Sequence, residues 1–186
     1  ESESRGLGDV YKRQLFVSTR EVGSSNYMTW DQIRELKKER FVEIGNHSHT
    51  HEYLVDESYD TIKDDIEKSI SIFKNELGNN SKFFSYPFGE YSLEFKNIIK
   101  SLGFNYAFGQ HSGVIDETKD LYELPRFPIN EKYGEIKRFN SLTKTLPFKY
   151  KRVYPEEKYL LQEKNPPEVK IEFYENIKNL KSLSCY

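Results

Sequence analysis

Cysteine is almost missing from this chain, and the single one, Cys185, stands next to last. That excludes a disulfide framework and a cysteine-based zinc site. Long apolar runs are missing too. No stretch of about 18 apolar residues occurs, so no segment reads as a membrane-spanning helix. Neither sign of charge prevails: 28 Lys and Arg face 30 Asp and Glu, for a formal net charge of −2. Without a basic excess there is no electrostatic case for nucleic acid or an anionic membrane surface as partner. Histidine is scarce, with four in 186 residues, so where the four stand carries information.

What the chain has is aromatic bulk. Only 36% of residues are hydrophobic and 31% are charged, yet there are 14 Tyr and 13 Phe. Rings bury large areas, so a core is still attainable. The length suits one domain, or one domain and a piece of a second. Residues 1–14 (ESESRGLGDVYKRQ) have no periodicity and join abruptly to the apolar Leu15-Phe16-Val17. The stretch Asp9 to Gln14 resembles a translated transposase adaptor, so residues 1–14 are expected to be non-native and are set apart from the fold. A natural disordered arm is the alternative. Residues 15–148 are expected to form the domain, and 149–186 a linker and the start of a truncated second module.

From Leu15 onward, strands and helices alternate. Leu15 to Ser18 reads as a short buried strand. Thr29-Trp30-Asp31-Gln32 is a capping box that opens a helix to about Arg40. Phe41 to Gly45 is the next strand. Ser58 opens a long helix with Tyr59, Ile62, Ile66, Ile70, Phe73 and Leu77 at steps of three or four, closed by Gly78 as a left-handed cap. Phe83 to Tyr86 is a strand stopped by Pro87, a helix spans about Leu93 to Leu102, and Tyr106 to Phe108 is a further strand. A helix is predicted over Gly134 to Leu142. After the break Asn165-Pro166-Pro167, the alternation of Val169, Ile171 and Phe173 predicts a half-exposed strand. The βαβα order predicts α/β architecture with parallel strands and outer helices, as an incomplete (β/α) barrel or an open doubly wound sheet.

Three of the four histidines fall in His47-Ser48-His49-Thr50-His51, directly after a strand. If the chain turns helically there, His47 and His51 share a face, about 5–6 Å apart at Cβ. Two imidazoles so placed suit a common Zn²⁺ at about 2.0–2.1 Å. A cluster of solvated histidines without metal is the bland alternative. His49 either points away or replaces one of the two. A catalytic zinc takes three protein ligands and an open position, and no Asp here stands convincingly at a strand end. Asp56, Asp60, Asp64 and Asp65 fall on or beside the long helix, where a solvated face is expected.

Gly45-Asn46-His47-Ser48-His49-Thr50-His51 resembles the second motif, His-[Ser/Thr]-x-x-His, of the polysaccharide deacetylases with NodB homology (carbohydrate esterase family 4). Ser85-Tyr86-Pro87-Phe88-Gly89 resembles their third motif, with Ser85 where Arg is usual. Met28-Thr29-Trp30 and Leu124-Pro125-Arg126 also fit the layout, so the similarity spans about residues 15–145. The resemblance implies a distorted NodB-type barrel and a divalent metal, with Zn²⁺ expected, on His47 and His51. It implies a substrate wall from Tyr86, Pro87, Phe88 and Gly89, and removal of N-acetyl groups from an amino-sugar polysaccharide. It further implies an acid, for which His111 is the only remaining imidazole, and an orienting arginine, Arg126. A solvent-facing loop histidine and a surface ion pair are the alternatives for those two. The family's first motif, Thr-Phe-Asp-Asp-Gly, supplies the base and a metal ligand. No Asp-Asp-Gly occurs in these 186 residues.

Leu15 to Thr19 resembles the family's second strand, so the chain is expected to be an inactive fragment of an active enzyme. The expected partner is the N-acetylated polysaccharide, the expected state a monomer, and the expected location, by resemblance, outside the cytoplasm. A glycan- or metal-binding barrel remnant and a metal phosphoesterase are the competing readings.

Overall fold

The computed structural model describes residues 13–129 and 133–174. Residues 1–12 of the segment set apart, and the end of the tail with Cys185, lie outside them. Four strands, β1 (Arg13–Val17), β2 (Val42–Asn46), β3 (Phe83–Ser85) and β4 (Tyr106–Phe108), make one parallel sheet in the order β1-β2-β3-β4. The pairing of β1 with β2 runs from Arg13↔Val42 to Val17↔Asn46. Strand β1 therefore begins two residues before Leu15. Among the described residues the sheet does not close. β1 is one edge, and Leu124 bridges Phe108 beyond β4.

Three of the helices start where a side chain satisfies a free backbone N–H. Helix α1 (Trp30–Lys37) carries the capping box: Gln32 N–H donates to Thr29 Oγ1 and Thr29 N–H to Gln32 Oε1. Helix α2 (Tyr59–Leu77) is capped by Ser58 and ends at Gly78 in the left-handed region, as its sequence predicts. Helix α3 (Leu93–Ser101) is capped by Ser92. Helix α4 (Ile136–Leu142) has no buried residue.

The inner face of α2 fills the core. Ile62, Ile66 and Ile70 pack with Phe84, Tyr86, Phe95, Ile98 and Phe104, while Phe73 joins Val17, Ile33 and Ile44 on the side of α1. Rings at Phe84, Tyr86 and Phe95 meet near edge-to-face at 5.1–6.1 Å, geometry that favours aromatic contacts. Each fully buried apolar side chain contributes about 1.5–3 kcal/mol. The buried rings Phe84, Tyr86, Tyr91, Phe95 and Phe104 thus gather in one cluster.

The tail forms a two-stranded antiparallel ribbon, β5 (Arg152–Tyr154) with β6 (Lys170–Glu172). Val169 and Ile171 are exposed rather than turned to a covered face. The stretch before the ribbon's second strand touches the sheet domain. Glu157 Oε2 accepts from Leu93 N–H at 3.0 Å, and the Tyr159 hydroxyl donates to Asp56.

Candidate active site

His47 and His51 meet at the C-terminal end of β2, with ring centroids 4.7 Å apart. A helical turn does not achieve this. The loop is irregular, and Ser48 (φ 71°) and His51 (φ 56°) both take the left-handed region. Such backbone costs a non-glycine residue about 1–3 kcal/mol and persists only when its surroundings hold it. Here they do. Asn46 Oδ1 accepts from Ser48 N–H at 3.0 Å, and Ser48 Oγ accepts from His51 N–H at 3.0 Å. The end of β1 zips the other side, with His47 N–H to Val17 O at 3.0 Å and Arg20 N–H to His49 O at 3.0 Å.

The strongest clamp comes from a residue that the sequence pattern assigned to a solvated helix face. Asp65, on α2, is buried. Its Oδ1 accepts from His49 N–H at 2.8 Å; its Oδ2 accepts from Thr50 N–H at 3.0 Å and Thr50 Oγ1 at 2.7 Å. The expectation fails because Asp65 falls on the edge of the stripe made by Ile62, Ile66 and Ser69, under the loop rather than opposite it. Helical spacing gave a hint, since Asp65 lies three residues after Ile62 and four before Ser69.

The histidine geometry suits a shared divalent ion. A ring centroid lies about 3 Å from an ion held at ~2.0–2.1 Å by one ring nitrogen, so two rings on a tetrahedral ion stand about 5 Å apart. His47 Nδ1 lies 2.6 Å from the carbonyl oxygen of Ser85. A carbonyl only accepts, so Nδ1 carries the hydrogen and Nε2 keeps its lone pair. Burial, with smaller contributions from His51 and Arg126, lowers the His47 pKa to about 4, against the Ser85 bond. The ring is therefore neutral at pH 7, the form that binds metal. That nitrogen and one from the neighbouring His51 ring would fit two of a catalytic zinc's three protein positions. Among the described residues no group of three His, Cys, Asp or Glu gathers as a metal cluster. His49 is turned to Thr19, with Nδ1 2.8 Å from Thr19 Oγ1. A cavity of about 480 Å³ opens beside the pair, lined by Phe16, Ser18, Met28, His47 and His51 among others.

The turn Pro87–Gly89 contributes one ring rather than a wall of four residues. Tyr86 is fully buried, its hydroxyl donating to Tyr122 O at 3.1 Å, and Pro87 is buried too. The core takes both because the turn follows β3 inward. Phe88 (φ 56°) is thrown outward, 48% exposed, with its ring 4.9 Å from His51 and 5.6 Å from Tyr53. Gly89 has φ 77°, and a Cβ there would stand 2.4 Å from the Gln110 Cβ, so only glycine fits.

Arg126 is half-buried over the Phe16 ring, 5.5 Å from its centroid, and burial lowers its pKa. Among the described residues it is in no ion pair with a carboxylate. His111 lines a different cavity, of about 680 Å³, together with Phe88 and Glu123. It is exposed by surface area, yet the crowding of its ring lowers its pKa, through burial first. Phe88 lines that cavity and also touches His51, while neither His47 nor His51 lines it.

Comparison with known proteins adds a family. The polysaccharide deacetylase model matches residues 11–107, just over half of the chain. The match takes in the histidine loop and the Ser85–Gly89 turn and stops short of His111 and Arg126. Poly-beta-1,6-N-acetyl-D-glucosamine N-deacetylases from Staphylococcus aureus are 25% identical over 140 residues, 67% of this chain and 48% of theirs. The chain thus spans about half the length of the curated relatives it matches. Among solved structures, the Streptococcus pyogenes deacetylase PplD in complex with acetate aligns with a TM-score of 0.65 at 20% identity, covering 72% of this chain and 59% of that one. IcaB from Ammonifex degensii aligns with a TM-score of 0.64 at 18% identity, covering 72% and 62%. The α/β sheet with outer helices is accordingly of the NodB type.

Proposed function

Because the chain belongs to the polysaccharide deacetylase family, we propose that it is the histidine-bearing part of a metal-dependent enzyme that removes N-acetyl groups from an amino-sugar polysaccharide. The observation that carries this is the convergence of His47 and His51, with Ser85 O fixing which nitrogen of His47 is free. Zn²⁺ is an ion that suits two imidazole ligands. The relatives' printed substrate is a polymer of N-acetylglucosamine, and a polymer of that class, met outside the cytoplasm, is the substrate we assign here.

A bound divalent ion supplies Lewis-acid polarisation of an acyl oxygen and a water of lowered pKa, toward ~7. The chain's own residues prepare that site. His47 and His51 would hold the ion, Asp65 and Ser48 fix the loop that carries them, and Phe88, against His51, would flank the acetamide. Arg126, whose charge reaches His47, favours negative charge developing on the acyl oxygen. His111, the candidate acid, lines a different cavity from the pair and would have to reach the leaving amine from there. The base is not among these residues, since no Asp-Asp-Gly is present. The 186-residue chain alone therefore behaves as a weak metal binder with little turnover.

Calorimetric titration of the purified chain with Zn²⁺, alongside acetate release from poly-N-acetylglucosamine, tests this. One ion per chain is expected, lost in His47→Ala and His51→Ala and kept in His49→Ala, with acetate release near background. Two ions per chain would favour a phosphoesterase. Loss of binding in His49→Ala but not His51→Ala would overturn the ligand assignment, and rapid acetate release would overturn the need for the Asp pair.

A further inference from the structure

The two rings of the histidine pair are fixed in different ways. His47 has the Ser85 carbonyl on its Nδ1. The backbone N–H of His51 reaches Ser48 Oγ, but among the described residues neither nitrogen of its ring has a hydrogen-bonding partner. The ring packs instead, with centroids 4.7 Å from His47 and 4.9 Å from Phe88. A histidine that binds metal almost always has an outer partner that sets the direction of its ring. For His51 that duty falls on Phe88, which itself needs support, being 48% exposed at a φ of 56°. Among the described residues its other ring contact is Tyr53, at 5.6 Å. Tyr53 is fixed at both ends. Its main chain runs straight into Leu54 and Val55, which are buried in the core. Its hydroxyl donates to the Glu90 carboxylate, and Glu90 is set by its own N–H on Pro87 O at 3.2 Å and by the buried Tyr91 that follows it.

We propose that Tyr53 is a positioning residue for His51: it braces the Phe88 ring against the imidazole and so fixes the direction in which the imidazole points. The inference deepens the deacetylase reading and rests on it for the use to which the ring is put. Tyr53 stands two residues after His51, and Glu90 two residues after Phe88. The Tyr53–Glu90 bond therefore ties the histidine loop to the turn after β3 at one end, and the His51–Phe88 contact ties them at the other. A hydrogen bond to one ring nitrogen settles which nitrogen is left for a metal. Packing settles the plane of the ring and leaves both nitrogens open, so the plane alone decides what His51 can reach. The other tyrosine–carboxylate bond nearby, Tyr159 to Asp56, involves neither Phe88 nor His51. It has the same chemistry outside the brace.

NMR of the histidine ring protons in the metal-free chain reads the brace directly, and calorimetry with Zn²⁺ reads its use. At about pH 8 a histidine of ordinary pKa is neutral, so the signals report surroundings and not charge. The His51 signals are identified by their loss in His51→Ala. Tyr53→Leu should move them toward the values of a free histidine, while those of His49, which is turned to Thr19, stay in place. Zn²⁺ affinity should fall about tenfold in the same variant, the low end for groups that orient ligands. Tyr53→Phe keeps the ring and loses one hydrogen bond, so it should restore most of the His51 shift and bind Zn²⁺ within about threefold of wild type. Tyr159→Phe should match wild type in both readouts. The thermal midpoint of the metal-free chain should stay within about 2 °C throughout, since Tyr53 is 39% exposed. His51 signals that ignore Tyr53→Leu, equal Zn²⁺ affinity in wild type and Tyr53→Leu, or an equal response to Tyr159→Phe would overturn the proposal. No Zn²⁺ binding by the wild type, with the His51 response to Tyr53→Leu intact, would sink the metal-enzyme reading and leave the brace standing.

Discussion

Replacing Asp65 tests whether the histidine loop is held from α2. Asp65 accepts three hydrogen bonds from His49 and Thr50, two of them from backbone N–H groups. Bonds to a charged group are worth about 1.5–3 kcal/mol each, and a donor left without a partner costs about 1–3 kcal/mol. His49 and Thr50 are only half-buried, so water recovers part of that loss. Asp65→Ala should therefore cost about 2–4 kcal/mol. Asp65→Asn should cost less, about 1–2 kcal/mol, since its one oxygen keeps one side of the clamp while its NH₂ opposes the other. The loop it releases contains two left-handed residues that would relax, so Zn²⁺ affinity should fall about 10–100-fold, the usual range for groups that orient ligands. Asp64→Ala is the control: Asp64 is exposed on the same helix, and should stay within about 0.5 kcal/mol. Urea unfolding of the metal-free chain gives the stabilities and calorimetry gives the Zn²⁺ affinities. If Asp65→Ala matches Asp64→Ala in both, the clamp is not what shapes the loop.

Two further outcomes follow from single residues. Gly89→Ala places a Cβ 2.6 Å from the Gln110 backbone nitrogen at a φ of 77°, and left-handed strain of about 1–2 kcal/mol plus overpacking of about 1–3 kcal/mol should lower the thermal midpoint markedly; an unchanged midpoint refutes that geometry. His47 has a folded pKa near 4 against 6.5 when free, so the unfolded chain binds a proton that the metal-free native state refuses. Stability is therefore lost as pH falls from 6.5 toward 4, by up to ~3 kcal/mol. The urea midpoints of wild type and His47→Gln should diverge across that window and run parallel above it, and parallel curves throughout would show that the ring is not buried neutral.

The sequence by itself determined the elements whose causes are local. Thr29 and Gln32 cap α1 through neighbours three residues apart. Gly78 ends α2 because a left-handed residue is needed there, and the apolar steps from Ile62 to Phe73 select the face that is buried. The spacing of His47 and His51 was equally legible, but for a reason that did not hold, since strained backbone and not a helical turn brings them together. What only the tertiary structure decided depends on partners far along the chain. Asp65 reads as solvated until the loop after β2 folds over it. Tyr86 reads as a substrate contact until Tyr122 takes its hydroxyl. His111 reads as the acid beside the metal until the fold puts it in a cavity that neither His47 nor His51 lines. Helical periodicity fixes which way a residue points on its own helix, but it carries no information on which distant segment comes to cover it.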